Sequence, residues 1–180
     1  PVATGAELVA YSGFSGSNYL VQPYNSDLNF TDTMSIMLWV NGWVGSDSLL
    51  HRGPGTTRNS KTSFHLYCSY DYNYRITFTT NGSSEQTFEI PLTATRSGWQ
   101  HLCFTLSGAT VRGFLNGVEK TLSSTSFTGN IFSQATDKNG LYVGTGPVSG
   151  PAATASLALL RLSATAPSAA QIKKIYDDEK

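Results

Sequence analysis

Apolar and polar positions alternate along much of the chain. Phe64, Leu66 and Cys68 share one face against His65 and Tyr67. Ile76 and Phe78 oppose Arg75, Thr77 and Thr79, and Phe88, Ile90 and Leu92 oppose Thr87 and Glu89. A period of two, with one apolar face and one Thr-rich face, marks antiparallel strands that cover a core on one side. The strand-like runs are NYLVQPY, SIMLWV, SLLHR, SFHLYCSY, YRITFTT, QTFEIPL, WQHLCFTL, TVRGFL, VEKTL, GLYVGTG and SLALLRLS. SIMLWV is apolar on both faces and is expected near a sheet centre. In WQHLCFTL, Leu102, Phe104 and Leu106 point one way, and Trp99, His101, Cys103 and Thr105 the other.

Turn chemistry separates the runs. Asn81-Gly82 and Asn116-Gly117 predict tight hairpins, because both central residues of a type I′ turn take positive φ. GTGPVSGPAATA reads as a loop. One helix is expected, at the C-terminus. Ser168 and Gln171 form a capping box after Pro167, and Ile172, Ile175 and Tyr176 recur at helical spacing. Many strands and one helix predict an all-β, two-sheet antiparallel jelly-roll sandwich.

A chain of 180 residues suits a single domain over 1–180, with no internal repeat or linker. It does not start with Met and stops in the charged IKKIYDDEK, so it reads as a piece excised from a longer protein. Twelve Lys and Arg balance twelve Asp and Glu, which removes the field that would attract nucleic acid. No apolar run is long enough to insert in a membrane. Cys68 and Cys103 are either two buried thiols or one bridge between sheets, and no zinc-type spacing is present.

The order of landmarks resembles the laminin G-like branch of the concanavalin A-like lectin/glucanase fold. FSGSNYLVQPYNSDLNF is similar to that family's opening strand (Phe14, Gly16, Tyr19), and MSIMLWV to its second landmark. GWQHLCFTLSGATVRGFLNG looks like its W-x-H hairpin (Trp99, His101, Asn116, Gly117), and LYVGTG with LALLRLSATAPSAAQIKKIY like its closing strands and helix. The resemblance is specific for the fold and not for a function. Such domains occur in phage tail and virion proteins, and IKKIYDDEK resembles phage particle sequences. The implied setting is a virion surface or the extracellular space. The implied partners are a glycan or host surface component and other virion segments. Some relatives bind calcium through acidic residues in the opening loop and last strand. Here those places hold Ser15, Ser17, Asn18 and Ala158-Leu159, so no cofactor is expected; a calcium site would have to draw on loop carbonyls with Asp27 or Asp32.

Glucanases share the fold, and relatives carry paired acids as E-x-D-x-E. The chain has Glu85, Thr87 and Glu89 in that pattern, so the central acid is missing and the pair reads as solvated surface. His101 has no apparent partner for work as a base. No catalytic residue is assigned.

Sugar recognition needs flat aromatic faces with amide, carboxylate or guanidinium groups beside them. YCSYDYNYR supplies Tyr67, Tyr70, Asp71, Tyr72, Asn73 and Arg75, with Tyr70 and Tyr72 expected at an exposed rim and Tyr74 inward. A second candidate is the long loop LLHRGPGTTRNSK, with His51, Arg52, Arg58 and Asn59. Trp43 is expected to pack. Two functions lead, a non-catalytic glycan-binding module or a sandwich whose role is packing and oligomerisation; the third, a glycoside hydrolase, would need an acidic pair in a cleft.

Overall fold

The computed structural model describes residues 10–42, 45–54, 62–80, 84–92, 98–132, 139–146 and 152–180. Within them, eleven strands form two antiparallel sheets. One sheet has six strands in the order β1 (Leu20–Gln22), β10 (Asn139–Val143), β3 (Ser48–Pro54), β4 (Phe64–Cys68), β5 (Tyr74–Thr79) and β6 (Glu85–Ile90). The other has five, in the order β11 (Ser156–Ser163), β2 (Thr33–Asn41), β7 (Gln100–Ser107), β8 (Thr110–Leu115) and β9 (Val118–Lys120). The chain changes sheet after β1, β2, β6, β9 and β10, so each sheet is closed by strands distant in sequence.

The alternation decides what meets inside. Ile36, Leu38, Val40, Leu102, Phe104 and Leu106 of the five-stranded sheet join Phe64, Leu66, Ile76, Phe78, Phe88 and Ile90 in one core. At Gly113 there is no room for a side chain: a Cβ would lie 2.7 Å from Leu122 and 2.8 Å from Ile90. The Asn116-Gly117 turn has the expected positive φ, 53° and 74°, and Leu115 pairs with Val118 across it. Asn81-Gly82 lies outside the described residues; the flanking strands pair at Thr79↔Glu85, one residue off the Thr79↔Ser84 register that a two-residue turn at Asn81-Gly82 gives.

The double-sided strand is explained by the helix. β2 runs between β11 and β7. Its inner residues join the core, while Met37 packs outward with Cys103, Phe114 and Ile172. Ile172 belongs to α1 (Ala169–Glu179), so the helix closes the outer face of this sheet. The capping box forms as read: the Gln171 amide donates to Ser168 Oγ at 3.3 Å, and the Ser168 amide to Gln171 Oε1 at 2.8 Å. Both cysteines are buried, and neither is in a disulfide. Cys68 faces the main core and Cys103 the helix, and burial pushes the Cys103 thiol up to about 12.

Candidate functional site

Cys68 pairs with Tyr74, and both side chains are buried, so residues 69–73 must turn the chain at the sheet end. The turn is tied by the Ser69 amide to Asn73 O (3.0 Å) and the Tyr72 amide to Ser69 O (2.9 Å). Tyr72 sits at φ 71°, a left-handed conformation uncommon for a bulky residue. Side chains lock the rest. Asn73 donates to Glu89 (2.9 Å) and accepts from the Leu92 amide (2.8 Å). Arg75 joins the Asp71 and Glu89 carboxylates, and Ser69 Oγ donates to Asp71. The Ser69 hydroxyl, with help from Arg75, holds the Asp71 carboxyl below its ordinary range. Tyr70 and Tyr72 emerge 76% and 60% exposed from this fixed frame. Six of the predicted residues (Tyr67, Tyr70, Asp71, Tyr72, Asn73, Arg75) therefore fall in one hairpin, and Tyr74 turns inward as expected.

Behind the turn, an aromatic row crosses the outer face of the six-stranded sheet. Register places Val21, Tyr142, His51, His65, Thr77 and Thr87 side by side on six strands. His51 stacks on Tyr142 at 4.8 Å and 5°, and His65 stacks on Tyr67 at 4.6 Å and 18°. His51 Nδ1–H donates to Thr145 O at 3.0 Å.

Two residues of the second predicted cluster are corrected. His51 and Arg52 are not loop residues, because β3 has hydrogen-bonding neighbours on both sides and continues to Pro54. His51 is fully buried. Arg52, 1% exposed, points into the sandwich and donates to Asn29 Oδ1 at 2.5 Å and to Asn25 O at 3.4 Å. Its guanidinium lies 6.0 Å from the Tyr24 ring, and burial pulls its pKa down. It staples the segment around the 3₁₀ turn Ser26–Leu28 rather than facing a ligand. Arg58, Asn59 and Trp43 lie outside the described residues.

The remaining candidates have structural partners. Glu89 is held by Arg75 and Asn73, and Thr77 and Thr87 share a hydroxyl bond of 2.8 Å. His101 is fully buried between Trp39 (5.4 Å) and Tyr176 (6.0 Å), and desolvation lowers its pKa. Asp32 accepts from the hydroxyls of Thr31 and Thr33, and Ser15 Oγ from the amides of Ser17 and Asn18. Among the described residues, no three His, Cys, Asp or Glu side chains gather as a metal site.

Sequence reasoning missed one concavity. A pocket of about 340 Å³ is lined by Ala10, Trp39, Trp99, Ala158, Leu159, Tyr176, Glu179 and Lys180. The two tryptophans were visible; the β2–β7 register, with Trp39 opposite His101, sets them on one face, and the helix supplies the other wall.

The model of the concanavalin A-like lectin/glucanases superfamily matches residues 14–173. No curated protein matches the sequence. Among solved structures, the chain is similar to a heptameric SAP-like pentraxin from Limulus polyphemus, at 13% identity and TM-score 0.63, covering 93% of this chain and 80% of that one. Domain 4 of AbnA, an extracellular arabinanase from Geobacillus stearothermophilus solved with arabinotriose, matches at 16% and 0.66, covering 96% and 82%. The botulinum neurotoxin serotype G binding domain matches at 8% and 0.70, covering 97% of this chain and 45% of that one. At such identities the likeness shows the fold. None of the three supports the phage setting expected from the sequence.

Proposed function

We propose, from the premise that the chain belongs to the concanavalin A-like lectin/glucanases superfamily, that it is a non-catalytic glycan-binding module acting at an extracellular surface. The observation that carries this reading is the turn at 69–73. Two exposed tyrosine rings are held on a hydrogen-bonded frame, with the Asp71, Arg75 and Glu89 charges beside them. A backbone fixed before binding loses little entropy on contact, and polar groups beside the rings suit sugar hydroxyls. A structurally similar domain was solved with arabinotriose, which supports the ligand class. The acids on β6 favour binding over hydrolysis, because Glu89 is neutralised by Arg75.

A glycan array probed with the whole chain tests this. Saturable binding to a defined oligosaccharide is expected, weakened at least tenfold by Tyr70→Ala or Tyr72→Ala, with no release of reducing ends. Binding unchanged by both substitutions, or no ligand at all for the folded chain, overturns it.

A second reading, oligomerisation, is favoured by β1, whose Leu20 and Val21 are exposed on an edge strand. Sedimentation of the chain and of Val21→Lys tests it: a self-associating species lost in the variant is the expected result, and a monomer at all concentrations sinks it.

A further inference from the structure

We propose that the pocket between α1 and the outer face of the five-stranded sheet is a second ligand site, built for one neutral sugar ring. It stands independently of the tyrosine turn.

The pocket arises from a fault in β11. Ala158 pairs with Trp39 and Arg161 with Met37, so three steps on β11 match two on β2 and one residue is extra. Leu159 takes up the difference at φ 51°, a costly conformation for a residue with a branched side chain. Bulges of this kind re-aim side chains and are over-represented beside sites. Here the bulged Ala158 and Leu159 form one wall, and the end of the helix forms another.

The aromatic wall is fixed before any ligand arrives. Trp39 is stacked on Tyr176, with centroids 5.8 Å apart and planes at 24°. Its indole N–H donates to Glu179 at 2.8 Å, and Glu179 also pairs with Arg161 at 2.5 Å. Trp99 adds a ring that is 41% exposed, unusual for the largest apolar side chain.

Charge selects the ligand class. The Glu179 carboxylate is offset by Arg161, and the Lys180 ammonium by Asp177 at 2.8 Å. The pocket thus carries one carboxylate and one ammonium, each already paired, so a ligand charge of either sign finds one attractive and one repulsive group. A neutral ligand meets neither penalty. The carboxylate oxygens keep spare lone pairs and the ammonium keeps spare protons, which suits hydroxyl groups at the rim of an apolar ring. Sugars present such a C–H face and hydroxyl edge. A volume of about 340 Å³ lies at the small end of ligand pockets and admits a sugar ring.

The pocket also lies at the same end of the sandwich as the tyrosine turn. The Tyr74 hydroxyl, at the base of that turn, donates to Gln100 at 2.7 Å, and Gln100 follows Trp99.

The test uses the Tyr70→Ala/Tyr72→Ala double variant, so that the turn does not contribute. Methyl α-glucopyranoside, methyl β-galactopyranoside and methyl α-arabinofuranoside are titrated while the tryptophan indole N–H resonances are followed by NMR. Trp99 is assigned by the loss of its signal in Trp99→Phe. A saturable shift of Trp99 with at least one sugar is expected. In Trp99→Ala, sugar binding followed through the Trp39 signal should weaken at least tenfold, while Trp99→Phe stays within about threefold. No saturable shift with any of the three sugars overturns the proposal. So does tighter binding of choline or acetate than of the sugars, or full affinity in Trp99→Ala. Loss of binding at the turn alone leaves these signals unchanged, so the two sites fail separately.

Discussion

Trp39 and Glu179 stand 140 positions apart, yet the indole N–H meets the carboxylate at 2.8 Å. The contact joins the second strand of the five-stranded sheet to the last turn of the helix. A carboxylate there opposes the helix dipole, so it is kept by tertiary partners rather than by helix preference. Glu179→Ala should cost about 1.5–3 kcal/mol, as for other charged hydrogen bonds. Glu179→Gln should retain most of it, because the amide oxygen still accepts. Urea denaturation of the three proteins measures the difference; equal stability of the alanine variant and the parent would refute it.

His101 makes stability depend on pH. Its ring is fully buried and neither nitrogen has a partner, so burial disfavours the charged form; the Arg161 charge adds to this and Glu179 opposes it. The folded pKa is therefore below the unfolded value of about 6.5. The unfolded chain takes up the proton first, so this contribution is complete above about pH 6.5 and falls away as the pH drops below it. Denaturation midpoints at pH 8 and pH 5.5 should differ less in His101→Phe than in the parent. An unchanged difference would show that the acid sensitivity lies elsewhere.

Arg52 was a binding candidate by sequence and is a staple in the fold. Removing it leaves the Asn29 side chain and Asn25 carbonyl without their donor. Arg52→Ala should destabilise by about 2–4 kcal/mol. Its glycan affinity, measured where the variant is still folded, should match the parent. A variant with parental stability and lost affinity would reverse the assignment.

Tyr72 separates binding from stability. At φ 71° a side chain is strained and glycine is not. Tyr72→Gly should hold or raise the melting temperature while weakening glycan binding at least tenfold. Tyr72→Ala, which keeps a Cβ, should be the less stable of the two. The opposite order of stabilities would argue that the ring is packed rather than presented.

The sandwich was legible because alternation is local. Phe64, Leu66 and Cys68 declare a buried face without reference to any other strand, and Ser168 with Gln171 declares a helix start. The tyrosine turn was legible for the same reason, since polar residues interrupt two alternating runs. His51 and Arg52 were rightly read within the SLLHR strand run but also offered as loop residues, because a strand ends where its neighbours end. Those neighbours are β10, about ninety residues away, and β4. The tryptophan pocket was hidden for a related reason. It needs a bulge at Leu159 and a helix docked by Ile172, and neither leaves a mark near Trp39 or Trp99 in the sequence.

Gly113 has a wider consequence. Its missing side chain lets Leu122 and Ile90 close over the strand, 2.7 and 2.8 Å from where a methyl would sit. The gap between the layers is thus set by an atom that is not there. A library randomised at this position should return glycine almost alone, and any surviving alanine should come paired with a trimmed residue at 90 or 122.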